Sequence, residues 1–252
     1  MKLYGEYNKK DWLESLKLSE EDVPDTLILH GEQTNDVLEK LDDWAVALKS
    51  KKRLRWNIIL GEYNGKKIAY AIVTLAPDAA SIAYIFGMLG TKRFIQTGYC
   101  GGLSKQIEYG EILLGKSVES EDGISQFYYP DSKTFESSVS LIDSAKHICE
   151  ERDWNLIEGS IVSTSIMLLE TKEMIKQWHS RGFLGVDGES ASTFAVAKRF
   201  GAECISLLNV SDHLLKGDTV FSYSSDREQL EERIDSQIST LALNLACLDL
   251  NN

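Results

Sequence analysis

The sequence predicts a single α/β domain with a twisted, mostly parallel central mixed sheet flanked by helices. Strand and helix patterns alternate along the chain, which is the order of elements in α/β folds. Several predicted strands are nearly continuous apolar runs, as expected of strands that are covered on both faces. No linker, repeat or low-complexity segment divides the 252 residues, which are enough to bury one large core.

Strands are predicted where short apolar runs are bounded by turn residues. Before the last third of the chain they are Thr26–His30, Leu54–Tyr63, Lys67–Leu75, Arg93–Thr97, Glu111–Val118 and Leu156–Ser163. Asn64-Gly65 separates the second of these from the third, and this dipeptide is typical of a β-hairpin turn. The glycine-rich residues Gly98–Gly102 follow the fourth strand and are expected to form a loop.

Helices are predicted where apolar residues recur at helical spacing. They are Asp11–Leu18, Val37–Leu48, a helix opened by Pro77 and Asp78 that ends near Gly90, Phe135–Arg152, Glu170–His179 and Asp226–Leu248. The polar residues 119–133 are expected to form a long loop. Residues 1–24 are charged, and we expect an N-terminal extension that packs on the main domain, residues 25–252, or on a neighbouring subunit.

The stretch Gly182–Asp212 predicts a strand, a helix and a second strand. The first strand ends at Asp187, the helix opens at Glu189, and Gly201 stands where helices commonly end with glycine. Glu189 and Asp212 therefore follow the carboxyl ends of two strands, which is the edge where open α/β sheets bind ligands. We predict an active site at this edge.

Each of these residues also has a purely structural interpretation. An acidic residue at a helix N-terminus, such as Glu189, stabilises the helix by about 0.3–1 kcal/mol through the helix dipole. Asp212 could simply begin a loop, and the glycines of residues 98–102 could only relieve steric strain. Two carboxylates and a glycine-rich segment at strand ends together favour a site, and His213 is expected to lie near it.

The net charge of −12 argues against nucleic acid as the main partner, because the chain offers no basic stripe to its phosphates. The four cysteines are widely spaced, form no metal-binding pair and lie mostly in apolar runs, so we expect buried free thiols in a reducing compartment. No apolar run approaches the length of a membrane span, and the charged N-terminus is unlike a signal peptide. We expect a cytoplasmic protein with no membrane partner, metal or cofactor.

Two motifs, TGYCGGL at residues 97–103 and VDGES…VAKRFGAECISLLNVSDH at residues 186–213, together resemble the nucleoside phosphorylase superfamily. That superfamily contains purine nucleoside and uridine phosphorylases and the nucleosidases, and the order of elements matches from about Thr26 onward. The ending VSDH is most similar to the bacterial hexameric purine nucleoside phosphorylases. The resemblance implies their fold, a nucleoside substrate, phosphate as a second substrate in the phosphorylases, and a homo-oligomer, either dimer or hexamer.

The resemblance also assigns roles to single residues. It implies that Asp212 is the general acid that protonates a purine ring nitrogen as the glycosidic bond breaks, and that Glu189 binds the ribose hydroxyls. Met167 falls where these enzymes usually place an aromatic side chain against the base. Gly188 replaces the methionine that usually lies beneath the ribose, which we expect to loosen that wall. A positioned general acid accelerates such reactions by about 10²–10⁴, and burial would raise the pKa of Asp212 as this role requires.

The residues that hold phosphate in phosphorylases are replaced in this chain. Asn35 stands where the arginine of a GDPxR-like motif is expected, and Gln96 where a second arginine is expected. Tyr99, which follows Gly98, is bulky where these enzymes carry a small hydroxyl residue. Each lost charge-assisted contact costs about 1.5–3 kcal/mol, so two losses should weaken phosphate binding by roughly 10²–10⁴.

The replacement of the phosphate-binding residues favours a nucleosidase, in which water attacks the sugar. Nucleosidases of the superfamily lack the phosphate arginines, and residues 94–103, FIQTGYCGGL, resemble their loop. Tyr99, Gln96 and the neighbouring backbone at Gly98 would shape the water site.

Two other functions stay open from the sequence. One is a phosphorylase with a rearranged anion site that uses Lys92, or Arg53 or Arg55 from a neighbouring subunit. The other is a non-catalytic relative that binds or stores nucleosides, against which the presence of both Glu189 and Asp212 argues.

Overall fold

The structure, a computed structural model, describes residues 2–32, 37–50, 52–55, 57–219 and 224–250. The strands are β1 Thr26–Gly31, β2 Lys52–Leu54, β3 Ile58–Tyr63, β4 Lys66–Val73, β5 Arg93–Gly102, β6 Ile112–Glu121, β7 Thr134–Glu136, β8 Leu156–Thr164, β9 Gly185–Asp187 and β10 Glu203–Asp212. The helices are α1 Lys9–Leu16, α2 Val37–Ala47, α3 Leu75–Leu89, α4 Ser125–Tyr128, α5 Val139–Glu151, α6 Lys172–Ser180, α7 Ser190–Arg199 and α8 Ser225–Ala246. Short 3-10 turns cover Tyr4–Glu6, Glu20–Asp22, Met167–Leu169 and Leu214–Lys216.

All of these strands belong to one mixed sheet, part of which closes on itself. β5, β9, β8, β6 and β10 pair in that order, and β10 pairs back with β5 to complete a ring. β1, β4, β3 and β2 extend from β5 as an open wing, in which Tyr63 and Lys66 flank the predicted hairpin turn. Most of the paired residues lie in parallel strand pairs, which include β1 with β4 and β5, β5 with β10, and β6 with β8. The predicted α/β domain with a mixed sheet is confirmed, whereas the sequence did not indicate the ring.

Successive residues of β1 are buried on opposite faces of the sheet, in two different hydrophobic cores. In β1, Leu27 and Leu29 join the cluster that the sheet forms with α1, α3 and α7, whereas Ile28 joins the cluster formed with α2, α5 and α8. This burial on both faces is the reason that the strand is a continuous apolar run. A third, smaller cluster packs α6 against the turn Leu214–Lys216.

The N-terminal segment contributes to the first core. α1 begins after Asn8, whose side-chain oxygen accepts a hydrogen bond from Asp11 N at 3.1 Å, and it lies against α3. Trp12 and Leu13 of this helix are buried in the first cluster. The segment therefore packs on the main domain, while a domain boundary at residue 24 and a contact with a neighbouring subunit stay predictions.

The prediction that the glycine-rich residues after the fourth predicted strand form a loop is wrong. Gly98–Gly102 continue β5, because β10 pairs with this strand as far as Gly101 and β9 pairs with Gly101 and Gly102. Two neighbouring strands thus hold in extended form a segment whose composition disfavours a strand.

Two further boundaries were also predicted wrongly. Phe135 is not helical: it lies in β7 opposite Val118 and is buried in the first core, and α5 begins only at Val139. Residues 119–133 are not one long loop, since β6 continues to Glu121 and α4 follows. In both cases pairing with β6 overrides the local pattern.

The described ranges contain no helix that is long and apolar enough to cross a bilayer. Cys100, Cys149 and Cys204 are buried free thiols, as predicted, and Cys247 is half-buried and also free. Burial raises the pKa of the Cys149 thiol to about 11 and that of Cys204 to about 12. These thiols are therefore protonated and behave as small apolar side chains.

Candidate active site

Closure of the ring brings the two predicted carboxylates to one edge of the sheet. Gly101 of β5 pairs with Val186 of β9 on one side and with Asp212 of β10 on the other. Neighbouring strands lie about 4.8 Å apart, so these two residues are roughly 10 Å from each other. Burial raises the pKa of the Cys100 thiol, and the Asp187 and Asp212 carboxylates raise it further, which places that thiol within reach of both charges.

Asp187, which the sequence predicts only as the end of a strand, caps helix α7. Its Oδ2 accepts hydrogen bonds from Ser190 N at 2.8 Å and Glu189 N at 3.4 Å, and Ser163 Oγ donates to its Oδ1. Asp187 thus satisfies the free amide groups at the start of the helix. Glu189 is therefore not needed to stabilise the N-terminus of this helix.

The Glu189 carboxylate instead reaches across to the end of β1. Its Oε1 accepts a hydrogen bond from Leu75 N at 2.8 Å, and its Oε2 would lie 2.7 Å from a Cβ atom placed on Gly31. The side chain is buried, and burial, followed by the Asp187 charge, raises its pKa to about 8. A carboxylate can accept about four hydrogen bonds, so Glu189 keeps acceptor capacity for a ligand.

Leu75 fills the space that Gly188 was expected to leave open. A Cβ atom on Gly188 would lie 2.8 Å from Leu75 Cδ2, so the wall is closed from the opposite side. Leu75 has a left-handed backbone with φ of 61°, a conformation that costs a branched residue free energy and marks a site held by its surroundings. The sequence offered no signal for this residue, since it lies at the first turn of an ordinary apolar helix.

Asp212, at the end of β10, is also buried. Its Oδ1 accepts a hydrogen bond from Ser211 Oγ at 3.0 Å. Burial raises the pKa of the carboxyl to about 6, although the Ser211 hydroxyl and the Arg227 guanidinium act in the opposite direction. Arg227 itself is directed elsewhere, with hydrogen bonds to Asp218 Oδ2 at 2.6 Å and to Ser211 O. Asp212 can thus hold a proton in weakly acidic to neutral solution, as a general acid must.

The turn Met167–Leu169 forms an exposed apolar rim between β8 and α6. Met167 is 37% exposed and Leu168 is 83% exposed. Glu170 follows this turn, and burial together with the Asp212 charge raises its pKa to about 7. The sequence predicts Glu170 only as the start of a helix.

Gln96 and Gly98 have defined structural roles. Both ends of the buried Gln96 amide are engaged: Nε2 donates to Thr97 O at 2.9 Å and Oε1 accepts from Thr193 Oγ1 at 2.7 Å. Gly98 has φ of 144°, and a Cβ atom there would lie 2.9 Å from Gly31 O. Glycine is therefore required for β5 to approach β1 so closely. A substrate contact of either residue stays a prediction.

Tyr99 is held in a half-buried cluster of charged residues. Its hydroxyl contacts Lys40 Nζ and donates to Asp235 Oδ2, and Lys40 Nζ also contacts Glu32 Oε2. Asn209 Nδ2 donates to Asp235 Oδ1 at 2.8 Å. Lys40, Glu32, Tyr99 and Asp235 are called the Lys40 cluster below. The sequence gives no signal for its charged members, because the fold joins residues as far apart as Lys40 and Asp235.

The remaining residues named from the sequence are His213, Asn35, Arg53 and Arg55. The His213 ring is fully buried, with Nε2 3.0 Å from Ser104 O, so it supports the backbone behind Asp212. Asn35 lies outside the described residues. Arg53 and Arg55 are exposed in and just after β2. In the described part of the chain, no group of three or more His, Cys, Asp or Glu side chains could hold a metal ion.

Residues 31–243 match the family described as the Phosphorylase superfamily. This chain belongs to that superfamily. A DeoD-type purine nucleoside phosphorylase from Clostridium beijerinckii is 29% identical over 174 residues, which are 68% of this chain and 72% of that protein. A guanosine phosphorylase from Halorubrum lacusprofundi is 23% identical over 232 residues, covering 88% of this chain and 93% of that protein.

Solved structures of the superfamily share the fold. Uridine phosphorylase from Vibrio fischeri, complexed with 6-hydroxy-1-naphthoic acid, superposes with a TM-score of 0.77 at 18% identity, covering 91% of this chain and 94% of the other. The 5'-methylthioadenosine/S-adenosyl homocysteine nucleosidase of Campylobacter jejuni gives a TM-score of 0.72 at 14% identity, covering 88% and 98%. The expected superfamily, fold and enzyme class are confirmed. Because the superfamily includes both phosphorylases and a nucleosidase, the choice of nucleophile rests on this chain's own site.

The burial of Glu189 predicts how the free energy of unfolding depends on pH. Its pKa rises from an ordinary 4.5 to about 8 on folding, so the folded state binds this proton more tightly. The contribution to stability is fully present below pH 4.5 and is lost as pH rises through about 8. Glu189→Gln removes the ionisation and keeps an acceptor for Leu75 N. The variant should therefore gain stability over the parent across this window, by at most roughly 5 kcal/mol at its upper end.

Urea unfolding of both proteins at the two ends of this window measures the effect. Glu173→Gln, the same change at an exposed position of α6, is the control and should show little difference between the two ends. A difference between Glu189→Gln and the parent that stays constant with pH would contradict the assignment.

Proposed function

We propose that this chain cleaves the N-glycosidic bond of a nucleoside, with purine nucleosides favoured, and that water is the nucleophile. The observation that carries the proposal is the Lys40 cluster, because it contains Tyr99, one of the residues that the resemblance assigns to the phosphate position. Asp212, Glu189 and Met167 support the remaining parts of the reaction.

Asp212 would supply the proton for the leaving base. Cleavage of the glycosidic bond gives an oxocarbenium-like sugar and a base that carries the bonding electrons. Proton transfer to a purine ring nitrogen neutralises that base as it leaves. The pKa of about 6 for buried Asp212 keeps part of the population protonated near neutrality, whereas an exposed aspartate would be almost fully ionised.

Glu189 would bind the ribose hydroxyls. These hydroxyls are hydrogen-bond donors to a carboxylate, so sugar binding favours the ionised form and lowers the pKa of about 8 found in the free site. The resulting buried negative charge then lies beside the position where the sugar becomes positive, and it stabilises that charge in a site of low dielectric constant. Leu75 and Gly188 close the wall on which the sugar would rest.

Met167 would cover one face of the base. Its side chain is half-exposed on the rim, and a methionine sulfur makes favourable contacts with aromatic rings. Methionine is more flexible than the aromatic side chain usual at this position, so the pocket should accept bases of differing shape.

The Lys40 cluster opposes an incoming phosphate. Burial lowers the pKa of the Lys40 ammonium, but the Asp235 and Glu32 carboxylates raise it by more, so this cation stays charged and paired. The ammonium is thus engaged by two carboxylates, and the Tyr99 hydroxyl contacts both Lys40 and Asp235. A phosphate would have to break these contacts to reach the ammonium, and it would then lie beside carboxylates that repel it. A neutral water molecule meets no such repulsion.

The other candidate cations lie too far from this position within one chain. Lys92 is exposed at the opposite end of β5 from Gly98–Gly102, roughly 20 Å away at about 3.3 Å per residue. Arg53 and Arg55 belong to the outermost strand of the wing or follow it, roughly 14 Å from β1 at about 4.8 Å per strand. Arg53 also donates to Asp42 Oδ1 at 2.7 Å. We further propose a homo-oligomer, in which these two arginines could serve only a neighbouring site.

The proposal predicts base release that does not depend on phosphate. On a panel of purine and pyrimidine nucleosides, addition of phosphate should change kcat/KM by less than about twofold, because no transition-state contact to phosphate is made. Chloride at the same ionic strength is the control. Cleavage that occurs only with phosphate, and saturates with it, would establish the phosphorylase alternative instead.

A second prediction concerns the general acid. Asp212→Asn keeps the size of the side chain and its contact with Ser211 but cannot transfer the proton, so kcat should fall by about 10²–10⁴. Asp226→Asn, the same change at an exposed position of α8, should retain parental activity. If Asp212→Asn retained parental kcat, another group would have to be the acid. If the parent itself bound nucleosides without cleaving any of them, the non-catalytic alternative would stand.

A further inference from the structure

Leu75 has a backbone conformation that its place in the fold does not require. Six described residues other than glycine have a left-handed backbone: Lys17, Lys49 and Asp153 follow helices, Asn57 and Asn64 lie in turns between strands, and Leu75 begins α3. Left-handed residues are common after helices and in turns. A glycine would adopt the φ of 61° without strain, whereas a leucine in this conformation is strained and persists only where its surroundings hold it.

The hydrophobic cores do not hold the Leu75 side chain. It is half-buried, and none of the three hydrophobic clusters that the described residues form includes it. Its neighbour is Gly188, where an added Cβ atom would lie 2.8 Å from Leu75 Cδ2. The side chain thus covers a glycine at the edge of the sheet and stays partly open to solvent there.

The main chain and the side chain of Leu75 act on two successive residues. The N–H group donates to Glu189 Oε1 at 2.8 Å, while the side chain packs on Gly188. The position of the buried carboxylate and that of the apolar surface beside it are therefore fixed by one residue. A pentose presents hydroxyl groups at its edge and C–H groups on its ring faces, so a carboxylate next to an apolar surface is complementary to it.

We propose that Leu75 contacts the sugar of the nucleoside and determines which sugars the site accepts. Its side chain is the apolar wall for the C–H groups of the pentose, in place of a side chain at position 188. This inference rests on the proposed function, since it takes Glu189 as the group that binds the sugar hydroxyls. The resemblance places a methionine at position 188 and assigns no role to Leu75, so the wall is built here from the opposite side.

Leu75→Gly tests the side chain alone, because it keeps the N–H group that donates to Glu189 and removes the backbone strain. Binding is measured by calorimetry in an Asp212→Asn background, which slows turnover. Adenosine should bind about tenfold more weakly than to the background protein, the value of roughly two buried methyl groups, and adenine should bind within about twofold. Asn64→Gly, the same relief of a left-handed residue in the hairpin turn, is the control and should change neither affinity.

The wall can also be rebuilt from position 188. Gly188 is not among the left-handed glycines, so its backbone accepts a side chain, which in the parent would push Leu75 toward the sugar. Gly188→Met alone should therefore weaken adenosine binding by about tenfold. Leu75→Gly combined with Gly188→Met should return the affinity to within about threefold of the background protein, because the two positions are coupled.

The specificity of the sugar site is measured by kcat/KM on ring-methylated substrates. A methyl group on the ring face that rests on Leu75 is excluded by overpacking in the parent. In Leu75→Gly, at least one of the 2′-, 3′- and 4′-C-methyl adenosines should therefore gain about tenfold in kcat/KM relative to adenosine. Unchanged relative values for all three would overturn the inference.

Two further measurements separate a sugar contact from a structural role. The urea midpoint of Leu75→Gly should be no lower than that of the parent, since the side chain packs in none of the cores. Equal losses of adenosine and adenine affinity, or additive losses in the double variant, would overturn the inference. If the parent cleaves nucleosides all the same, the proposed function stands. A parent that binds adenosine through Leu75 but cleaves no nucleoside would support the inference and contradict the proposed function.

Discussion

Burial of carboxylates at one edge of the sheet is the constraint on which the site depends. Asp187, Glu189 and Asp212 are all withdrawn from water where β9 and β10 end against β5. The ring of strands makes this possible, because Gly101 carries a neighbouring strand on each side. Without ring closure these groups would be solvated, and their pKa values would fall to those of ordinary surface carboxylates.

The buried carboxylates differ in how fully the protein satisfies them. Asp187 accepts two backbone hydrogen bonds and one from Ser163, so its role is completed within the fold. Glu189 accepts backbone hydrogen bonds from Leu75 and Gly188, and Asp212 accepts one from the Ser211 hydroxyl. Their remaining capacity to accept hydrogen bonds and to donate a proton is what the proposed binding of a sugar and a base would use. The Lys40 cluster differs, because its charges are paired with one another and are not left for a ligand.

The local sequence was sufficient to predict the strand, helix and strand of Gly182–Asp212. Apolar runs, a glycine at the helix end and two carboxylates follow one another along this stretch. It failed where pairing partners decide the structure: Gly98–Gly102 are extended because β9 and β10 hold them, not because of their composition. It could not find the Lys40 cluster, whose members come from β5, α2, α8 and the end of β1. Nor could it find Leu75, whose contact with Gly188 depends on the approach of two distant turns. The sequence could thus predict the elements that carry Glu189 and Asp212, but not the side chains that the fold brings against Tyr99 and Gly188.

The central claim, that water and not phosphate attacks the sugar, is tested most directly by following the oxygen atom. The reaction is run in ordinary water with phosphate labelled with oxygen-18, and the sugar is trapped at once by borohydride reduction so that its anomeric oxygen cannot exchange. The account predicts a free sugar without the label. A sugar phosphate that carries the label, or a free sugar labelled at that oxygen, would contradict it, because the attacking oxygen would then have come from phosphate.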